Sequence, residues 1–383
     1  MKVLTLLGTR PEIIRLSRVI ERLDESCDHL LVHTGQNFDE RLSRVFFREL
    51  GIRDPDLNLG VRGGGFGERV GAILAATERL VRERRPDRLL VLGDTDSGLA
   101  AFVAKRMGVP VFHMEAGNRC FDDRVPEEVN RRLIDHSSDV LMPYTQGSRR
   151  NLLREGFEPQ RVLVTGNPIK EVLDRHADQV DASAVHRGLG IEPGGYVLLT
   201  AHRQETVDVE QRLRNVVEGA LMLADEARLP LVVSLHPRTR SRVESWGVDL
   251  DSDGVIVSPP FGFFDFVALE RGAALVMTDS GTVQEECCIL GVPAVTVRDA
   301  TERPETIECG SNVLSGTRPD SIRRCARAAL ELPRDWTSPP EYLAPEVSAT
   351  VLKILLGQLP AGASAEGPRE RDAGEVGGVR SAG

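Results

Sequence analysis

One pattern occurs twice in this chain and restricts the folds open to it. The apolar run Arg88-Leu89-Leu90-Val91-Leu92 ends in Gly93-Asp94-Thr95-Asp96-Ser97. A helical stretch follows over residues 98–107, then Gly108-Val109-Pro110, a second apolar run through Met114, and Glu115-Ala116-Gly117-Asn118-Arg119. In the same way Leu275-Val276-Met277-Thr278 runs into Asp279-Ser280-Gly281, a helical stretch, Gly291-Val292-Pro293, the run Ala294-Val295-Thr296-Val297 and a charged loop. From Asp94 to Gly108 is 14 residues and from Asp279 to Gly291 is 12. Short apolar runs alternating with helical ones are βαβ units. The leading runs also match: residues 3–7 precede Gly8-Thr9-Arg10, and residues 196–199 precede Thr200-Ala201-His202-Arg203, a small residue and then a cation in each case. The expectation is an α/β protein of two doubly wound, Rossmann-like domains, with its site in the cleft between them, beyond the carboxyl ends of the strands.

The division is expected near residue 170: an N-terminal domain over 1–170, a C-terminal domain over 171–356 and a disordered tail over 357–383, where Ala, Gly, Glu, Arg and Ser dominate. A chain of 383 residues accommodates two such domains. Its net charge of −10 argues against a nucleic-acid partner, which calls for clustered Lys and Arg. No apolar run approaches a membrane span of about 18 residues, and residues 1–7 are too short for a signal-peptide core, so a cytoplasmic location is expected. The six cysteines show no Cys-x-x-Cys spacing and read mostly as small core residues, Cys287-Cys288 included.

Along the chain, Gly8-Thr9-Arg10-Pro11 opens a helix whose apolar residues 13, 14, 16, 19, 20 and 23 share one face. Its N-terminus with Arg10 beside it reads as an anion pocket, or as a capped turn with a surface arginine. Residues 54–66 read as an irregular loop with Gly63-Gly64-Gly65 as a candidate lid. Asp94-Thr95-Asp96 fits a metal-binding Asp-x-Asp pattern and equally a helix N-cap with acidic first-turn residues; no His or Cys at ligand spacing supports the metal. Glu127 and Arg131, four apart on one helix face, read as a surface ion pair or as part of a group in which three carboxylates converge with Arg119 and Arg131. A strand is expected at Arg161-Val162-Leu163-Val164. In the second half His202 reads as a proton donor, a phosphate ligand or a structural histidine. The aromatic loop at residues 259–266 is core or the flank of a base, and the helix opened by Asp279-Ser280-Gly281-Thr282 reads as a second anion seat, with Glu285 and Glu286 one turn in to hold ribose hydroxyls.

Nine motifs then occur in order. They are Gly8-Thr9-Arg10-Pro11-Glu12, Thr34-Gly35-Gln36, Gly93-Asp94-Thr95, His113-Met114-Glu115-Ala116-Gly117, Pro126-Glu127-Glu128-Val129-Asn130-Arg131, Thr165-Gly166-Asn167, His202-Arg203, Asp279-Ser280-Gly281 and Thr301-Glu302-Arg303-Pro304-Glu305. Over residues 1–356 the chain resembles the non-hydrolysing UDP-N-acetylglucosamine 2-epimerases. The resemblance implies a GT-B fold, a UDP-sugar substrate, no cofactor or metal, and a homodimer. It implies Asp94, Glu115 and Glu127 as the acid/base group, and His202 near the diphosphate. Arg10, Arg15 and Arg203 would serve as substrate-side cations, and Arg131 would orient the carboxylates. Ser280, Gly281 and Thr282 would seat the diphosphate, Glu286 the ribose and Phe266 the uracil, with Arg303 on the sugar side. Gln36 and His236 match positions that contact a second, regulatory UDP-sugar in some relatives, and His236 also falls among the substrate contacts.

Arg15 stands where the family commonly has Lys, Thr282 where it has Gly, Asn118 where it has Leu, and Gln204-Glu205-Thr206 where it has Arg-Glu-Asn. Asn118 with Arg119-Cys120-Phe121-Asp122, and Ser280-Gly281-Thr282, resemble a branch that forms UDP-N-acetyl-L-fucosamine, whereas Thr301-Glu302-Arg303-Pro304 leans toward the UDP-GlcNAc enzymes. The expected activity is reversible epimerisation of UDP-GlcNAc to UDP-ManNAc. The alternatives are the fucosamine branch, a hydrolysing 2-epimerase, a glycosyltransferase and a non-catalytic nucleotide-sugar binder.

Overall fold

Two parallel six-stranded sheets organise the chain. In the computed structural model, which describes residues 1–36 and 40–359, the first sheet holds β1 (Lys2–Leu7), β2 (Asp28–His33), β3 (Leu57–Asn58), β4 (Arg88–Leu92), β5 (Val111–Met114) and β6 (Val140–Met142), ordered β3-β2-β1-β4-β5-β6. The second holds β7 (Val197–Thr200), β8 (Leu231–Ser234), β9 (Val255–Ser258), β10 (Leu275–Thr278), β11 (Ala294–Thr296) and β12 (Asn312–Leu314), ordered β12-β11-β10-β7-β8-β9. Counted from its own first strand, each sheet has the doubly wound order 3-2-1-4-5-6. The strand order therefore reverses between β1 and β4 and between β7 and β10. Ligands of such sheets lie at these reversals, outside the strand ends.

Helices cover both faces of the central strands, so β4, β5, β7 and β10 are almost uninterrupted apolar runs rather than alternating ones. In helix Arg10–Ser26, Pro11 occupies the first turn, where its missing N–H costs nothing, and Ile13, Leu16, Val19, Ile20 and Leu23 turn one stripe into the core. That core joins the two halves: Leu16 and Leu90 belong to the same buried cluster as Leu198, Leu269 and Val276. Helix Val347–Leu356 also enters this cluster and packs on helix Arg10–Ser26 rather than on the second sheet. Arg22 Nε donates to Ser348 Oγ (2.7 Å), and Arg88 donates to the Leu355 and Gly357 carbonyls.

Three local expectations are corrected. Residues 161–164 form no strand: a 3₁₀ turn at Pro159–Arg161 leads to a single bridge from Val162 to Leu141, because the Arg161 guanidinium is drawn to the Ser138 and Asp139 carbonyls. The loop over 54–66 contains the edge strand β3, paired with β2 through Val32 and Leu57. The second strand of the first repeat starts at Val111, after Pro110, not at Val109. Of the tail expected over 357–383, residues 360–383 lie outside the described residues. Among the described residues no helix is long and apolar enough to cross a membrane.

Candidate active site

The loops leaving β1, β4, β5, β7, β10 and β11 meet between the two sheets, and their charged residues form one connected ion-pair network. Gly8 directly follows β1, and an added Cβ there would lie 2.2 Å from Thr34 Oγ1 and 2.4 Å from Ser97 Oγ; only glycine permits this approach. Glu12 fastens the turn by accepting from Gly8 N (3.0 Å), Thr9 Oγ1 (2.7 Å) and Thr95 Oγ1 (3.1 Å), and burial pushes its carboxyl up to about 7 despite these donors.

At the end of β5, Glu115 adopts a left-handed backbone with φ of 65°, a strained conformation for a side chain of this size. Its buried carboxylate contacts the guanidinium of Arg15 from the first half and that of Arg303 from the second, and both arginines also contact Glu285 on helix Gly281–Leu290. Burial alone would raise the Glu115 carboxyl; the two guanidiniums outweigh it and hold the group down at about 2. This square of two cations and two anions spans both sheets.

Asp94, just past β4, accepts from Arg131 Nη2 at 2.6 Å, and Arg131 also holds Glu128 at 2.8 Å. Glu127 sits in the first turn of helix Pro126–His136 and faces Arg203 Nη1 at 3.2 Å, while its buried Oε2 has no hydrogen-bond partner among the described residues. Burial would raise Glu127 as well, but Arg203, its own backbone N–H and Arg131 bring it below the usual carboxylate range. Glu302, in the loop after β11, ties these parts together. It meets Arg298 at 3.0 Å, Arg203 at 3.3 Å, Arg131 at 3.8 Å and Arg303 at 3.9 Å, and against full burial these cations hold it far below its ordinary value. Asp94, Glu115 and Glu127 are thus each one arginine away from Glu302.

A group of cations and imidazoles adjoins Glu127 and Arg203. Asp279, at the end of β10, accepts from the backbone N–H of His202 (2.9 Å) and of Arg203 (2.8 Å), which fixes the loop after β7. The His202 ring stands 5.7 Å from the His236 ring. Burial first, then Arg203 and Arg10, push His202 down to about 3; burial, then His202 and Arg10, do the same for His236. Arg10 lies over Phe46 and forms no ion pair among the described residues. Ser280, whose side chain makes no cap bond among the described residues, and Gly281 open helix Gly281–Leu290. A Cβ on Gly281 would come 2.6 Å from Glu302 Oε1, so the backbone runs against the network at this point. Unpaired helix-start N–H groups, Arg10 and neutral imidazoles are a fitting seat for a phosphate anion.

Five residues lie outside this ion-pair network. Arg119 does not converge with the three carboxylates: it is turned to Asp135 (2.7 Å) and Glu155 (2.6 Å), bracing the loop under Glu115. Asp96 diverges from Asp94 toward Arg69 at 3.2 Å, so the Asp-x-Asp pair does not point at one centre. Gln36 is near Ser97 (3.4 Å) at the end of β2, and Phe266 is partly buried against the main core. Glu286 is buried beside Glu270. Burial raises both, Glu270 well above the ordinary range and Glu286 to about 7, each carboxyl acting on the other. The sequence reading assigned no role to Glu302 or Arg298, although both lie in the charged loop that closes the second repeat.

The two sheets and the network between their strand ends define a GT-B α/β enzyme whose charged cleft is shared by both lobes. The family model described as UDP-N-acetylglucosamine 2-epimerase matches residues 21–356, and the chain belongs to that family of isomerases. It is 39% identical over 347 residues to the UDP-N-acetylglucosamine 2-epimerase of Methanocaldococcus jannaschii, covering 88% of this chain and 95% of the relative. It is also 40% identical over 335 residues to the UDP-2,3-diacetamido-2,3-dideoxy-D-glucuronate 2-epimerase of Pseudomonas aeruginosa, covering 86% and 92%. The crystal structure of the M. jannaschii enzyme in complex with UDP-GlcNAc and UDP superposes with a TM-score of 0.89 at 37% identity, over 93% of this chain and 99% of that one.

Proposed function

We propose that the protein interconverts UDP-GlcNAc and UDP-ManNAc by eliminating UDP to 2-acetamidoglucal and adding it back with the proton on the other face. The proton on carbon 2 of an acetamido sugar is weakly acidic, so the bond from carbon 1 to the diphosphate breaks first and the proton is then removed. Such a route needs cations and N–H donors at the diphosphate and carboxylates around the pyranose. The observation that carries the reading is that Asp94, Glu115 and Glu127 of the first half are each joined through an arginine to Glu302 of the second, in a network that includes Arg203, the neighbour of His202.

In this reading Arg10 and the helix-start N–H groups take the charge that develops on UDP, and His202 is protonated when the anion arrives, since a neighbouring phosphate favours its charged form. The anionic carboxylates stabilise positive charge at carbon 1. The unpartnered Glu127 Oε2 is free to take or return a proton on one face of carbon 2, while Glu115 acts from the other once the sugar displaces one of its arginines. Arg131 holds Asp94 in place. The P. aeruginosa relative supports a uronate substrate as a second reading. Against it, Arg15, Arg131, Arg203 and Arg303 all meet carboxylates of the protein already, which favours an uncharged sugar.

Proton NMR in deuterium oxide with a panel of UDP-sugars tests the proposal. Loss of the carbon-2 proton signal from UDP-GlcNAc is expected, with UDP-ManNAc appearing and free UDP staying trace. Stoichiometric UDP with free sugar would identify a hydrolase instead, and binding without exchange would reduce the protein to a nucleotide-sugar binder.

A further inference from the structure

Cys288 and Cys309, 21 residues apart in sequence, bring their sulfurs within 3.6 Å of each other. Cys288 is fully buried near the end of helix Gly281–Leu290; Cys309 directly follows the short helix Pro304–Glu308 and is partly exposed. The surroundings hold both side chains in place. Ser338 Oγ lies 3.7 Å from the Cys288 sulfur, and Ser311 Oγ lies 3.4 Å from that of Cys309. The other cysteines are separately engaged: Cys27 donates to the Leu23 carbonyl, Cys120 lies against Glu128, Cys287 is in the main core and Cys325 packs in the second cluster.

We propose that Cys288 and Cys309 are a redox-sensitive pair, closed to a disulfide by a low-molecular-weight disulfide, which ties the helix opened by Gly281 to the segment that begins at Arg303. The exposed Cys309 gives up its proton and attacks the small disulfide, forming a mixed disulfide and expelling one small thiol. Cys288 then loses its proton and attacks the Cys309 sulfur. The bond to the small molecule breaks, the Cys288–Cys309 bond forms, and the second small thiol leaves with a proton. The protein gives up two electrons, and the oxidant is reduced to two thiols. Burial pushes the Cys288 thiol up to about 12, which makes the second attack the slow one.

The test incubates the full chain with oxidised glutathione and follows intact mass, thiol titration in denaturant and peptide mapping. A glutathione adduct on Cys309 is expected first. It then resolves to a Cys288–Cys309 cross-linked peptide as the thiol count falls from six to four and returns to six with dithiothreitol. Cys309→Ser should keep all its thiols under the same treatment. Six persisting thiols, an adduct that never resolves, or a bridge to any other cysteine would overturn the assignment. Mapping of the unsubstituted protein decides the matter even if a variant folds poorly, and epimerase turnover is not needed for the readout.

Discussion

Glu115 and Glu12 show how similar burial sends two carboxyls in opposite directions. Both are almost inaccessible, but Glu115 has two guanidiniums against it and is held at about 2, while Glu12 has only neutral donors and rises to about 7. For catalysis, Glu115→Gln keeps the shape and removes the charge. Exchange at carbon 2 is expected to fall by a factor on the order of 100 or more, with UDP affinity by calorimetry nearly unchanged; turnover equal to the parent would remove Glu115 from the proposed acid/base group. For stability the sign for Glu12 follows from its raised value. A carboxyl with a higher value folded than unfolded favours folding below its unfolded value near 4.5, and that contribution is lost as pH rises through 7. The thermal midpoint of the parent should therefore decline between pH 5 and 7 more steeply than that of Glu12→Gln. Parallel curves would show that Glu12 does not carry the proton.

At the scale of elements, the strand ends are where both backbone and chemistry are constrained. Gly281 lets a helix start press against Glu302, and Gly281→Ala would set a Cβ 2.6 Å from Glu302 Oε1. Relief requires moving either the helix start or the network, so UDP affinity is expected to drop about tenfold, equal to about 1.4 kcal/mol, with global unfolding changed far less. Unaltered UDP affinity would separate this helix start from the diphosphate. The central strands were legible because two-sided burial leaves uninterrupted apolar runs that stop at Gly-Asp or Asp-Ser. The edges were not: β3 has two residues and β6 and β12 three each, too short for a periodicity to show. Nor could sequence reveal partners. Arg119 and Arg131 stand at similar distances from Glu115 and Glu127 along the chain, yet Arg119 turns to Asp135 and Glu155 while Arg131 enters the cleft. Glu302 and Arg298 went unassigned because their role exists only once arginines from separate strand ends surround them.

For the whole molecule, the square of Arg15, Glu115, Arg303 and Glu285 is a charged contact between lobes that also share an apolar core. In the proposed elimination, a sugar entering beside Glu115 must compete with the arginines that neutralise it. Glu285 is the member that the proposed chemistry does not use, so it isolates the contact. Removing its charge in Glu285→Gln leaves Arg15 and Arg303 with a single carboxylate between them in a buried setting. Breaking a buried pair from one side costs on the order of 3–5 kcal/mol, far more than a surface pair. A loss of this size is expected in urea unfolding at pH 7. Small-angle scattering of the ligand-free variant should show a larger radius than the parent, and UDP-GlcNAc should restore part of the difference by drawing the lobes together. A variant as stable and compact as the parent would place the cohesion of the two lobes in the shared apolar core and in helix Val347–Leu356, which crosses back to the first sheet, rather than in the ion pairs.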